Sequence, residues 1–465
     1  MGTVSIIGRT SVLVATMLVA SCYASTQGGG AGDGDVAEVV TDGTEEGMPG
    51  DAVDGASDEA SPEAASWFLR VGGASHFLHL SDMIELFGGD SLLVGYAPNG
   101  SWEDLWAARL TPDGELSWER WAIGVLRQFA NSVVPRTGGG FLVIGGDDYR
   151  DWSGAAVFAF DGDGRPEWAR AFGGTGEWLD VAALPDGDFV AVGGVAAEGD
   201  PPGERARPWT CRLDADGRSA WQRRYEVASA TAASIVASTG GALTVAVLVA
   251  TPTGDGGRRT PVLMRLDERG DVLWAWDVGV ESSEPVRPRL TALPDGETAL
   301  IWNDELLVFG EDGAWRHGWR LASPTNLVLV DATAVGDGIA LVGRDDVGGW
   351  VGVLGHDGAL RWQASVAGEV EQDLARVVRS EHDGGLTFFG GTIASTWVLH
   401  LPSDGRFDGS CRELSAGTAS VAPDVSLPVA WRTVDSVETA FVPTEEPLEA
   451  GDDDLPIETV CRGTR

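Results

Sequence analysis

The chain contains no lysine. All 32 basic residues are arginine, set against 71 aspartates and glutamates, for a net charge of −39. Such a charge repels phosphate backbones and anionic lipid, which excludes nucleic-acid binding as a function class. Without lysine, Gly173-Gly174-Thr175-Gly176 cannot serve as a phosphate loop and reads as a connection between repeats. Cysteine is scarce, four in 465 residues, and no two are adjacent. Histidine is scarce too: of six, only His76 and His79 lie close together, and with no third ligand in sight they read as surface or core residues. Long apolar runs are missing; the run at 12–19 near the N-terminus is too short for a spanning helix.

What is present is periodic. An apolar residue followed four positions later by Gly occurs at Leu110/Gly114, Phe160/Gly164, Leu213/Gly217, Leu266/Gly270, Phe309/Gly313, Leu354/Gly358 and Leu401/Gly405. Successive glycines are 50, 53, 53, 43, 45 and 47 residues apart, the signature of one supersecondary unit repeated. A Trp stands four residues after the Gly at Trp118, Trp168, Trp221, Trp274 and Trp362. In the fifth copy His317 takes that place between Trp315 and Trp319, and the seventh copy has no such Trp.

Each unit carries a Gly-bounded apolar strand such as Gly139-Gly140-Phe141-Leu142-Val143-Ile144-Gly145, then a strand ending in the apolar residue of the motif. A tight turn, often Asp-Gly, follows, and then an outgoing strand. Asp-Gly suits that turn because Gly accepts positive φ and Asp tolerates it. Four antiparallel strands, A to D, in 43–53 residues make one propeller blade. Leu213-Asp214-Ala215-Asp216-Gly217-Arg218-Ser219-Ala220-Trp221 resembles the repeat of quinoprotein-type (PQQ-like) bacterial β-propellers, and the resemblance covers residues 67–405. It implies blade architecture rather than an activity, since many members are non-catalytic scaffolds. It also implies that the repeat residues Trp118, Trp168, Trp221, Trp274 and Trp362 pack on the neighbouring blade. No quinone cofactor is expected, because the eight blades and vicinal cysteines of the dehydrogenases are missing. The fold expectation is therefore all-β, a seven-bladed propeller over residues 66–405.

The seventh copy also lacks a strand D. Trp67-Phe68-Leu69-Arg70-Val71-Gly72-Gly73, with no strand C before it, matches Trp168-Ala169-Arg170-Ala171-Phe172-Gly173-Gly174. The strand 67–71 is thus expected to pair beside 397–401, complete the seventh blade and remove the open edge, with Trp67 joining the packing series.

Residues 1–21 read as a secretory signal, with Arg9 as its charge and 12–19 as its apolar core. Val19-Ala20-Ser21-Cys22 resembles the bacterial lipobox, which implies cleavage before Cys22 and acylation of its thiol, including by palmitate. Tyr23, where Asp would mark inner-membrane retention, favours the outer membrane or cell surface. Residues 22–65 form an acidic tether: 23–66 hold eleven acidic residues and no basic one, a composition unable to offset its ordering entropy.

Three candidate sites dissolve against the repeat. Gly89-Asp90-Ser91-Leu92 spells a hydrolase nucleophile signature, but it falls on strand B of the first blade and no partner motif follows. Asp161-Gly162-Asp163-Gly164 and Asp214-Ala215-Asp216-Gly217 resemble the start of a calcium loop, yet the same turn recurs from blade to blade. No catalytic, cofactor or metal residue is assigned. Residues 406–465 form a C-terminal extension, with strand-like runs at 425–431 and 437–442 and a solvated acidic loop at 445–454. In an oxidising compartment Cys411 pairs with Cys461, and Cys211 within strand C of blade three is left as a buried apolar residue.

The sequence therefore reads as a lipid-anchored, monomeric, exported propeller, a non-catalytic binding or scaffold module. Its partner is protein or carbohydrate, and insertions at 196–208 and 251–261 are the candidate contact loops. The alternative is a periplasmic or cell-surface hydrolase or lyase using the channel. Inward carboxylates and histidines at the channel would favour the enzyme; a small, apolar lining would favour the binding module. A third option, holding other proteins by strand addition, needs an exposed strand D edge. Deleting residues 67–73 is expected to lower the melting temperature sharply, checked by thermal unfolding; an unchanged melt would refute closure by this strand.

Overall fold

Every repeat folds as a meander because its turns are chemically specified. In blade three, strands Gly176–Ala183, Phe189–Val195, Arg207–Leu213 and Ser219–Tyr225 pair antiparallel in sequence order. Its C–D turn is closed by the Gly217 amide donating to the Asp214 carbonyl at 2.8 Å, with Gly217 at φ +74. In this computed structural model seven such four-stranded antiparallel blades make a seven-bladed β-propeller. The structure describes residues 66–462 except 73–77, 100–101, 124–126, 150–151, 173–175, 197–206, 228–229, 239, 252–257, 281, 283–285, 337, 369–374, 393–394, 408–410, 418, 424–429, 432–435, 439–442, 447–448 and 452–456.

The ring closes through the N-terminal strand. Trp67–Val71 pairs antiparallel with Ser395–Leu401, in register from Trp67 opposite His400 to Val71 opposite Thr396. The seventh blade is therefore built from Ala375–Arg379, Leu386–Thr392, Ser395–Leu401 and the strand from the other end of the domain. Its core lies between blades rather than within them. One cluster joins Leu92, Val94 and Leu105 of blade one to Val133, Phe141 and Phe158 of blade two, and another joins Phe68 and Phe388 of blade seven to Val342 and Val351 of blade six.

The repeat Gly and Trp are two halves of one contact. A Cβ placed on Gly114 would meet Trp67; on Gly164, Trp118; on Gly217, Trp168; on Gly270, Trp221; and on Gly405, Trp362. Each Trp on strand D thus lies over the C–D turn of the next blade, and the series runs unbroken across the closure. In the irregular fifth copy Trp274 and Trp276 cover Gly313, while Trp319 rather than Trp315 covers Gly358. Several indoles also donate into that turn: Trp67 Nε1 to the Pro112 carbonyl, Trp221 Nε1 to Glu268 and Trp362 Nε1 to Ser403, at 2.8, 2.9 and 2.8 Å.

Every blade carries a fifth strand that the repeat does not announce. Downstream of Cys411 the chain runs backwards round the rim. It adds Leu414–Ala416 to blade six, Ser420–Pro423 to blade five, Ala430–Trp431 to blade four and Ser436–Glu438 to blade three. Pro443–Glu446 then joins blade two, Glu449–Gly451 blade one, and Ile457–Arg462 the closing strand Trp67–Val71. Each segment is antiparallel to strand D. One expectation is corrected here and one alternative loses its footing. The acidic stretch expected as a solvated loop supplies two of these strands, because backbone pairing asks nothing of the side chains. The open strand D edge that the third option, strand addition, would need is occupied in every blade by the chain itself.

Two alanine substitutions in blade four separate turn strain from turn packing. Gly241 and Gly270 have φ +77 and +79, but a Cβ meets nothing within 4 Å at Gly241 and lies 2.7 Å from the Trp221 ring at Gly270. Gly241→Ala is expected to cost about 1–2 kcal/mol, the left-handed backbone penalty alone. Gly270→Ala should cost a further ~1–3 kcal/mol for overpacking, read by denaturant unfolding.

Candidate functional site: the central channel

Strand A of each blade lines the channel, and one residue per blade stands at the same level. Asp82, Ser132, Asp180, Ser234, Arg289, Asp331 and Arg376 each lie opposite a central residue of strand B, namely Val94, Ile144, Val192, Ala246, Ile301, Val342 and Phe389. At Asp82, Ser132, Asp180 and Asp331 the residue directly follows a register shift in strand A. Such bulges re-aim a side chain. Together the seven residues line a cavity of about 180 Å³.

The ring's polar atoms are spent between blades. Asp82 accepts the Val133 amide of the next blade at 2.9 Å and faces Arg376 Nε of the preceding one at 3.3 Å. Asp180 accepts the Ser234 hydroxyl at 2.7 Å and the Ile235 amide at 2.9 Å, and Arg289 stands 4.0 Å away. Ser132 Oγ lies 2.7 Å from Asp82 and 3.0 Å from Asp180, so its single proton serves one at a time. Asp331 accepts the Val377 amide at 3.1 Å. Each carboxylate thus ties its blade to strand A of the next. Three carboxylates against two guanidiniums leave one net negative charge when all are ionised.

At Asp331 burial outweighs the charged partners. It raises the Asp331 carboxyl to about 6, against the pull of Arg376 and Arg289. Burial first, and then Arg289, also weakens the hold of Arg376 on its proton. Neither expected lining is met in full. Carboxylates face inward, as expected of an enzyme, but the ring contains no histidine, and it is charged rather than the small, apolar lining expected of a binding module.

The residues singled out from sequence fall elsewhere. Cys22 and His76 lie outside the described residues, as does most of both candidate contact loops. His79 stacks on Tyr96 at 4.4 Å and faces Ser81 Oγ at 3.2 Å. Ser91 is buried at the start of strand B, and Asp90 beside it binds Arg109 Nε at 2.5 Å. Asp161 accepts the amides of Asp163 and Arg165, at 2.9 and 2.8 Å, which is turn chemistry. Cys411 and Cys461 form a disulfide, with Cα atoms 5.8 Å apart, and Cys211 is a buried free thiol pushed up to about 12 by desolvation.

Sequence reasoning missed a Thr–His–Asp line in the closing blade. Thr387 Oγ1 lies 2.8 Å from His400 Nδ1, whose Nε2 lies 3.1 Å from Asp383, and Trp67 stacks on the imidazole at 5.4 Å. Thr387 and His400 are 4% and 3% exposed, so the line is sealed under the closure strand and serves the seam. No motif spacing could have flagged it, because Trp67 arrives from the far end of the chain.

The raised Asp331 sets a pH test. Its folded-state affinity for a proton exceeds that of the unfolded chain, so its contribution to stability is present below about pH 4 and is lost as pH rises through about 6. Asp331→Asn keeps an acceptor for Val377. It should therefore gain on the wild type, by on the order of 2 kcal/mol, between pH 4 and pH 7.5 in paired thermal melts.

No protein-family model matches the chain, and no curated protein matches it. Solved structures do. The WD40 domain of Neurospora crassa Pan2 aligns with a TM-score of 0.44 at 10% identity, over 71% of this chain and 90% of that one. Chaetomium thermophilum Sqt1, bound to the N-terminus of ribosomal protein L10, aligns with a TM-score of 0.44 at 14% identity, over 71% and 98%. A Penicillium chrysogenum α-L-arabinanase complexed with arabinobiose aligns with a TM-score of 0.45 at 10% identity, over 73% and 98%.

Proposed function

We propose that this chain is a non-catalytic binding module of the bacterial cell envelope, held to the membrane by a lipid on Cys22. The observation that carries the reading is the state of the channel: every carboxylate in its ring accepts a hydrogen bond from the strand A backbone of the next blade. Groups committed to holding blades together are poorly placed to exchange protons with a substrate. The disulfide suits an oxidising compartment, in keeping with export. Binding then falls to the loops, where the B–C connections of blades three and four are the longest of the seven B–C connections. Together they hold four arginines and four acidic residues, a charge-balanced surface rich in Gly and Pro that suits a protein or carbohydrate partner.

The rival reading, a hydrolase or lyase, draws on Asp331, whose value of about 6 would suit an acid working near neutral pH. Two measurements separate them. Cys22→Ser should move the protein from the membrane to the soluble fraction and abolish incorporation of labelled palmitate. Wild type and Asp331→Asn should both leave a panel of acidic and neutral polysaccharides uncleaved. Turnover by the wild type that Asp331→Asn removes would replace the binding module with the enzyme.

A further inference from the structure

The C-terminal extension touches every blade once. Between Cys411 and Cys461, 50 residues apart, it lays a strand on blades six, five, four, three, two, one and seven in that order, and then bonds back to its own start. The covalent loop so formed passes around the whole perimeter, with the propeller inside it. The dimensions suit this path. Fifty extended residues reach at most about 165–180 Å, the circumference of a circle about 55 Å across.

Sheet twist explains how one chain can do this with strands as close in sequence as Pro443–Glu446 and Glu449–Gly451. Adjacent strands rotate by roughly 20–25°, so four steps outward from strand A accumulate about 90°. Strand A runs along the channel axis, and a fifth strand therefore lies along the rim. A chain following the rim is antiparallel to each strand D in turn, as observed.

We propose that this segment is a covalent hoop and that Cys411–Cys461 is its redox latch: closed, it seals the strand D edges of the ring, and a dithiol opens it. The individual grips are short, two residue pairs at blade four, three at blades one, three and six and four at blades two and five. Two-stranded pairings of that length are marginal alone. What makes them persist is that neither end of the segment can leave. The latch is reachable, since both cysteines are partly exposed at the rim. It is also unambiguous, because the remaining described thiol, Cys211, is fully buried in blade three.

The opening step is a two-electron exchange. A thiolate of the dithiol attacks one sulfur, the Cys411–Cys461 bond breaks and a mixed disulfide forms. The second thiol of the reagent then closes its own disulfide and releases the first cysteine. Two electrons and two protons pass from dithiol to protein, leaving two cysteine thiols.

Hydrogen exchange on the full chain, before and after reduction by dithiothreitol, reads the latch directly. Titration of two new thiols confirms opening. On reduction, the rim segment and the strand D amides facing it in Pro166–Phe172, Ser219–Tyr225 and Trp315–Ala322 should lose protection by up to about a thousandfold. That figure is the entropy of closing a 50-residue loop expressed as a ratio. Strands A and B should keep their protection, and reoxidation should restore the rim. Cys461→Ser, made separately, should match the reduced protein. Unchanged strand D protection after confirmed reduction would overturn the latch. So would simultaneous loss in all four strands of each blade, which would make the segment an inseparable part of the fold.

Discussion

A propeller blade is apolar on both faces, and this one condition organises the molecule. A four-stranded sheet such as that of blade three buries Val190 and Val192 towards one neighbour and Ala191 and Cys211 towards the other. No linear stack satisfies it, since the first and last blades would each leave a face in water. A ring does, provided the two ends of the chain can meet. The strand Trp67–Val71 makes that meeting structural, with Trp67, Leu69 and Val71 packing towards blade one and Phe68 towards blade six. The Trp-over-Gly contact is the same demand expressed at the rim: a large ring needs a turn with no Cβ beneath it, and Gly supplies one.

The channel shows the polar side of that demand. Seven strands converging on an axis leave backbone amides facing a narrow cavity, and buried amides need acceptors. Asp82, Asp180 and Asp331 provide them across the blade boundaries, while Arg289 and Arg376 moderate the charge that three carboxylates would otherwise concentrate. The balance is incomplete at Asp331, where desolvation outweighs both arginines. A ring built for cohesion thus keeps one group whose protonation is open to adjustment near neutral pH.

The blades were legible in the sequence because their turns are. A Gly needed for positive φ under a Trp recurs wherever that contact recurs, so Gly114 to Gly405 mark seven turns, and a missing Trp marks the seam. The fifth copy blurred the pattern, since the packing duty passes from the His317 position to Trp319, two residues on along the same strand face. The channel ring was not legible. Its members are Asp, Ser and Arg at one register, and register is set by bulges that leave no compositional trace. The rim strands were less legible still. They are two to six residues long, five of the seven contain an acidic residue or a proline, and they owe their existence to edges already formed by blades far away in sequence.

The seam is where these devices meet. A closing strand of five residues delivered from the end of the domain has no covalent turn to hold it against Ser395–Leu401, unlike every other strand D, which is tethered to its strand C by a tight turn. It is also the strand whose loss would open the ring. The molecule answers by occupying both of its edges: Ser395–Leu401 on the inside and Ile457–Arg462 on the outside, the latter in five paired positions and with Cys461 opposite Phe68. The disulfide then fixes that outer strand to Cys411, a short step downstream of the same blade's strand C. What the missing turn would have supplied as local connectivity is supplied instead by a chain that has gone once round the ring to reach the same place.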